Sequence, residues 1–98
     1  MARMKYEIIL APEAARDLKR LKAHTRSEVK DALERHLRHE PGRVSKSRIK
    51  RLRGINHPQY RLRVGEIRVF YDITENTVEV LAIVSKTEAT SWLEEMGE

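Results

Sequence analysis

Arg61, Arg63 and Arg68 form the pattern in this chain most suited to chemistry, and they lie within the stretch YRLRVGEIRVFYD from Tyr60 to Asp72. A guanidinium is planar, permanently charged and rich in donors, so it grips phosphate or carboxylate oxygens but does not shuttle protons. Around these arginines, two runs of period-two alternation flank Gly65-Glu66. That is the signature of a β-hairpin. With Gly65 at the first central position of a two-residue turn, type II′ is the natural geometry. Val64 then pairs with Ile67, Leu62 with Val69 and Tyr60 with Tyr71, which gathers the apolar side chains on one face. On the other face Arg63 lies across from Arg68, and Arg61 lies beside Phe70. Like charges directly opposite one another destabilise a sheet. Either this is a solvated face whose repulsion is softened by salt, or the three guanidiniums form an anion site.

The remaining candidates are fewer. His57 precedes the hairpin, so it is either a structural loop residue or, as an imidazole, a candidate for acid–base catalysis. Phe70 shares the arginine face, where it either offers a platform for a stacked base or is covered by the C-terminal helix. Trp92 reads as core. His24, His36 and His39 sit in or beside helical segments and read as solvated surface. There is no phosphate-binding glycine loop and no metal-ligand spacing. No cofactor is expected.

These residues have to be positioned by the rest of the chain. Lys5 to Leu10 alternates as a short strand. Ala11-Pro12-Glu13 opens a helix, with Pro at its first turn and an acid at its positive end. Its apolar stripe of Ala15, Leu18 and Leu21 runs to about Ala23. Thr25 to Glu28 has capping-box spacing, so a second helix should start there, with Val29, Ala32, Leu33 and Leu37 on its buried face. The two helices form a hairpin over the sheet. Glu40-Pro41-Gly42 ends the second helix. Arg43 to Pro58 is a basic loop pinned by Ile49 and Leu52. After the hairpin and a turn at Thr74 to Thr77, the apolar run from Val78 to Val84 reads as a central strand. A short helix follows, with Ala89, Trp92, Leu93 and Met96 inward. The order is β-α-α-β-β-β-α, an α+β fold with a largely antiparallel sheet.

Composition narrows the partners. The 98 residues suit a single domain spanning 1–98, and without cysteine there is neither a disulfide framework nor a thiolate site. No apolar run is long enough for a membrane span, and the N-terminus lacks the apolar region of a signal peptide, so a cytoplasmic protein is expected. The net charge of +5 is unevenly spread. Residues 43–71 hold nine basic side chains and one acid, Glu66, whereas residues 72–98 hold Lys86 against seven acids. Such a concentration is the footprint of a nucleic-acid binder, and an acidic protein partner would account for it equally well.

The segment LRG-x5-YRLRVGEIRVFYDI-x10-IVSK, from Leu52 to Lys86, resembles the signature of the RelE/ParE superfamily of bacterial and archaeal toxins. The likeness takes in the helical pair after a first strand, the basic loop and the paired basic positions on the second strand. It implies a toxin held in check by a cognate antitoxin with an acidic or amphipathic segment. For the RelE-type branch it implies an endoribonuclease that cuts mRNA in the ribosomal A site, leaving 2′,3′-cyclic phosphate and 5′-OH ends and inhibiting translation. The ParE-type alternative is a non-enzymatic inhibitor of DNA gyrase. Carried onto this chain, Arg61 and Arg63 occupy the paired basic positions, Arg68 the third-strand arginine, and Lys86 the basic position at the last strand's end. Arg43, Lys46, Arg48, Lys50, Arg51, Arg53, His57 and Phe70 would contact RNA. The best-known RelE members have lysines at the paired positions, so Arg61 and Arg63 suit clamping better than proton transfer. The family's C-terminal arginine and tyrosine fall near Thr87 and Leu93, which lack those functional groups.

Overall fold

The computed structural model describes residues 5–96. In chain order it contains β1 (Glu7–Leu10), α1 (Pro12–Arg20), α2 (Ala23–Leu37), β2 (Ile49–Arg51), β3 (Tyr60–Val64), β4 (Ile67–Thr74), β5 (Thr77–Ser85) and α3 (Lys86–Met96). The strands make one sheet in the order β1-β5-β4-β3-β2. Among the described residues only the β1–β5 pair is parallel; the other three pairs are antiparallel. This is the expected α+β class with one strand more than the alternation predicts. β2 escapes a periodicity argument because it is three residues long and two of them, Lys50 and Arg51, are cations. Its anchor is Ile49, which is buried and pairs with Leu62.

The central hairpin has the register that alternation dictates, from Tyr60 opposite Tyr71 to Val64 opposite Ile67. Gly65 takes a φ of +58°, and among the described residues the only non-glycine with positive φ is Glu75. Positive φ at the first central position alone is what a type II′ turn requires. The apolar run after the second turn lies inside the sheet as β5, although the middle strand is β4.

The helices depart from the sequence reading at their ends. α1 begins at Pro12 as expected but stops at Arg20, and α2 starts with Lys22 as its cap, ahead of the Thr25–Glu28 box. The break falls earlier because Arg26 serves the end of α1. Its guanidinium donates to the carbonyls of Leu18 (3.3 Å) and Leu21 (2.8 Å). A helix end leaves such carbonyls without partners, and a side chain from the first turns of α2 fills that role.

Ala14 and Leu18 of α1 and Val29, Leu33 and Leu37 of α2 pack with Leu62, Val69, Tyr71, Val78, Val80 and Ile83 of the sheet. α1 lies against β1 and β5, and α2 against β3. β1 covers β5 only as far as Val80; beyond it Asp17 of α1 accepts a hydrogen bond from the Ile83 amide at 3.0 Å. An exposed strand edge is thereby closed by a helix side chain. The Tyr71 hydroxyl donates to the Pro41 carbonyl at 2.6 Å. Burial pushes this phenol well above the usual range, with Tyr60 adding to the shift, so it remains a donor. The C-terminal helix is held less deeply than expected: Trp92 and Leu93 are half-buried, and Met96 is 51% exposed. No described helix is long and apolar enough to cross a membrane.

Candidate functional site

Strand alternation and register place Lys50, Arg61, Arg63, Arg68, Phe70 and Asp72 on the sheet face turned away from α1 and α2. Lys50 pairs with Arg61, Arg61 with Phe70, and Arg63 with Arg68. The three arginines are not equivalent. Arg63 is exposed, whereas Arg68 is only 8% exposed. Arg68 turns back on its own hairpin, with Nη1 donating to the Gly65 (2.9 Å) and Ile67 (3.0 Å) carbonyls. Those carbonyl dipoles offset part of the repulsion from Arg63. Arg61 is half-buried, and its Nε is shielded from water without a hydrogen-bond partner. An orphaned donor of this kind costs about 1–3 kcal/mol. Burial first, then the charges of Arg68 and Arg63, pull the pKa of Arg61 down, and a guanidinium so treated stays charged while gaining more from an anion.

Phe70 does not offer a stacking face for a base. It is fully buried, and Trp92 of α3 stacks on it with ring centroids 4.9 Å apart and planes 9° from parallel. Trp92 is held in turn by a hydrogen bond from Nε1 to Glu13 at 2.8 Å. The helix covers this ring because Phe70 is large and apolar on a face otherwise lined with charged side chains.

The basic loop divides between the two faces. Lys50 joins Arg61, whereas the Arg51 guanidinium lies 5.0 Å from the centre of the Tyr60 ring on the helix side. Arg48 stands at the rim, lining one cleft with Arg63 and Gly65. A second cleft, of about 410 Å³, places Arg48 beside His36, His39 and Arg43. Arg43 pairs with Glu40 at 3.3 Å, and Lys46 and Arg53 are exposed. Lys86 opens α3, and its amide donates to the Glu66 carbonyl at 2.7 Å, setting the start of that helix against the hairpin turn. Its side chain is exposed.

His57 has a partner that sequence reasoning missed. Its Nδ1 lies 2.8 Å from Oδ2 of Asp72, whose Oδ1 accepts the Gln59 amide at 2.7 Å. The missed signal was Asp72 itself. A carboxylate in line with buried strand residues must be paired, and the nearest polar loop, Asn56 to Gln59, was the place to look. Among the described residues no three His, Cys, Asp or Glu side chains are grouped to hold a metal.

Residues 8–90 match the family model described as the ParE toxin of the type II toxin–antitoxin system parDE. Among solved structures, the toxin–antitoxin complex RelBE2 from Mycobacterium tuberculosis is 28% identical over 83% of this chain and 98% of that one, with a TM-score of 0.66. A free-state mutant of Escherichia coli toxin RelE is 19% identical over 95% of this chain and 99% of that one, with a TM-score of 0.68. The RelB–RelE complex of Methanococcus jannaschii is 21% identical over 86% and 96%, with a TM-score of 0.65. These last two speak for the fold alone. Comparison with curated proteins gives no significant match.

Proposed function

The chain belongs to the ParE toxin family of type II toxin–antitoxin systems, and from that premise we propose that it acts as an endoribonuclease on ribosome-bound mRNA. The observation that carries this reading is the cationic end of the sheet face. There Lys50, Arg61, Arg63 and Arg68 sit in adjacent paired rows with no carboxylate among them, and Arg61 retains an unmatched buried donor. An RNA phosphate satisfies such a set by charge-assisted hydrogen bonds. In the proposed reaction a ribose 2′-OH attacks the neighbouring phosphate, leaving 2′,3′-cyclic phosphate and 5′-OH ends. Arg61 and Arg63 would hold the non-bridging oxygens as negative charge builds. Arg68 would fix the hairpin that presents them, with Lys86 at its turn. The exposed cations Arg43, Lys46, Arg48, Lys50 and Arg53 would contact ribosomal RNA, and the ribosome would hold the message in line for attack. As partner we propose an antitoxin whose acidic or amphipathic segment masks the same face.

The test is single-turnover incubation of the toxin with ribosomes carrying end-labelled mRNA. The expected products end in cyclic phosphate and 5′-hydroxyl, and uncut message would reject the reading. A second reading, gyrase inhibition through a protein interface, is favoured by the family match together with Thr87 and Leu93, which lack the functional groups of RelE-type enzymes. Accumulation of gyrase-linked DNA breaks in expressing cells would put that reading first.

A further inference from the structure

The arginines can hold a phosphate, but none of them can take a proton from a ribose hydroxyl. The same sheet face carries a group that can. Asp72 is two residues beyond Phe70 on β4, and Phe70 is the register partner of Arg61. Asp72 and Arg61 are therefore diagonal neighbours, about 7–8 Å apart. Asp72 is 9% exposed and has both oxygens engaged, one by the Gln59 amide and one by His57. A carboxylate only accepts, so Nδ1 of His57 carries the hydrogen and the Nε2 lone pair points away from Asp72. The His57 side chain is 64% exposed. It lines a cleft of about 370 Å³ with Glu13, Arg16, Trp92 and Met96. The charged groups facing it are Asp72 from β4 and Glu13 and Arg16 from α1, while α3 contributes only Trp92 and Met96. Glu13 is engaged by Trp92, which leaves Asp72 as the group that orients the ring. A second His–carboxylate pair, His24 with Glu28, is 3.6 Å apart and solvent-exposed on both sides, an ordinary surface contact.

We infer that His57 is the proton-transfer residue of the RNA cleavage proposed above, on which this inference rests, with Asp72 as its positioning residue. Asp72 and Arg61 are diagonal neighbours on one face, so a nucleotide whose phosphate is held by Arg61 would extend toward the His57–Asp72 pair. The 2′-O–H bond breaks as its proton passes to Nε2, the 2′-O–P bond forms and the P–O5′ bond breaks. The departing 5′ oxygen takes a proton from water, and the imidazolium neutralises the hydroxide so formed. The diester only rearranges to a cyclic one, so no co-reactant is consumed. The Asp72 carboxylate stabilises the imidazolium throughout.

The experiment measures single-turnover cleavage on programmed ribosomes for the wild type, His57→Ala and Asp72→Asn, with ribosome affinity measured in parallel. His57→Ala should slow cleavage on the order of 10²-fold or more at unchanged affinity, and added imidazole should restore part of the rate. Asp72→Asn should also slow cleavage at unchanged affinity, because the asparagine amide donates to Nδ1 and moves the ring proton to Nε2. A His57→Ala protein that melts with the wild type and cleaves at the wild-type rate would overturn the inference. So would a loss of rate that tracks a loss of affinity and does not respond to imidazole. If the wild type itself cuts no message, the RNA-cleavage reading fails and takes this inference with it, so the wild-type control tells the two failures apart.

Discussion

The Phe70–Trp92 stack divides one face of the sheet into two ends of opposite chemistry. At one end Lys50, Arg61, Arg63 and Arg68 gather positive charge with no acid among them; at the other the buried Asp72 carboxylate holds a single exposed imidazole. The cationic end works against stability: it places Arg63 opposite Arg68 and buries an unpaired Nε on Arg61. At the Asp72 end both carboxylate oxygens have partners. Cost only partly offset by the Gly65 and Ile67 carbonyls suits a surface that completes itself on a ligand, and full satisfaction suits a group held in one orientation. The difference assigns holding to the first end and, as proposed, proton transfer to the second.

The sharpest way to break this division is at Arg68. Arg68→Ala should abolish growth arrest, and because Arg68 braces the Gly65 and Ile67 carbonyls it should also cost about 1–3 kcal/mol of stability. Urea denaturation beside a growth assay checks both. Arrest at wild-type strength in the folded variant would remove Arg68 from the proposed site. Trp92→Ala should come next, at about 2 kcal/mol for a half-buried indole that loses both its stack and the Glu13 bond. That variant tests whether α3 is what separates the two ends. If its melting temperature is unchanged, the stack is not holding the helix down.

Replacing Lys46, Arg48, Lys50 and Arg51 with Gln should weaken ribosome co-sedimentation and flatten its salt dependence, by about 0.7–0.9 in log–log slope for each phosphate no longer neutralised. Arg51 should contribute least, since its guanidinium faces the Tyr60 ring. The smallest effect concerns His36. Burial, then Arg48 and Arg35, hold this imidazole below its usual range. Its unfolded form therefore takes up a proton first, so stability is present above the unfolded value of about 6.5 and declines as pH falls through the lower folded value. His36→Gln should lessen that decline in acid denaturation curves and leave stability at pH 8 nearly unchanged.

How much of this was legible in the residues follows from the range of each signal. The hairpin was fully legible, register included, because period-two alternation and Gly65 act within thirteen residues, from Tyr60 to Asp72. β2 was not, since three residues with one apolar anchor carry no period. The start of α2 was misplaced because the Thr25–Glu28 spacing is a local cue, and the tertiary use of Arg26 at the end of α1 overrode it. At the candidate site, the three arginines of the cationic row could be read from alternation alone, whereas Lys50 on β2 could not. The His57–Asp72 pair spans fifteen residues and forms only when the loop before β3 folds back onto β4. Phe70 shows the same limit: its face and its two readings, a base platform or cover by the C-terminal helix, could be read, but the choice between them rests on Trp92 from a distant helix.

The division between the two ends is tested most directly by measuring ribosome affinity and saturated cleavage rate in two proteins, an Arg48→Gln/Lys50→Gln double variant and His57→Gln. The account predicts that the double variant raises Kd about tenfold or more, roughly 1.4 kcal/mol, while its rate at saturation stays within a few-fold of the wild type. It predicts that His57→Gln keeps the wild-type Kd and loses the rate. If His57→Gln instead weakens binding and cleaves normally once saturated, or if both proteins lose affinity and rate in proportion, the two ends do not divide the work and the account is wrong.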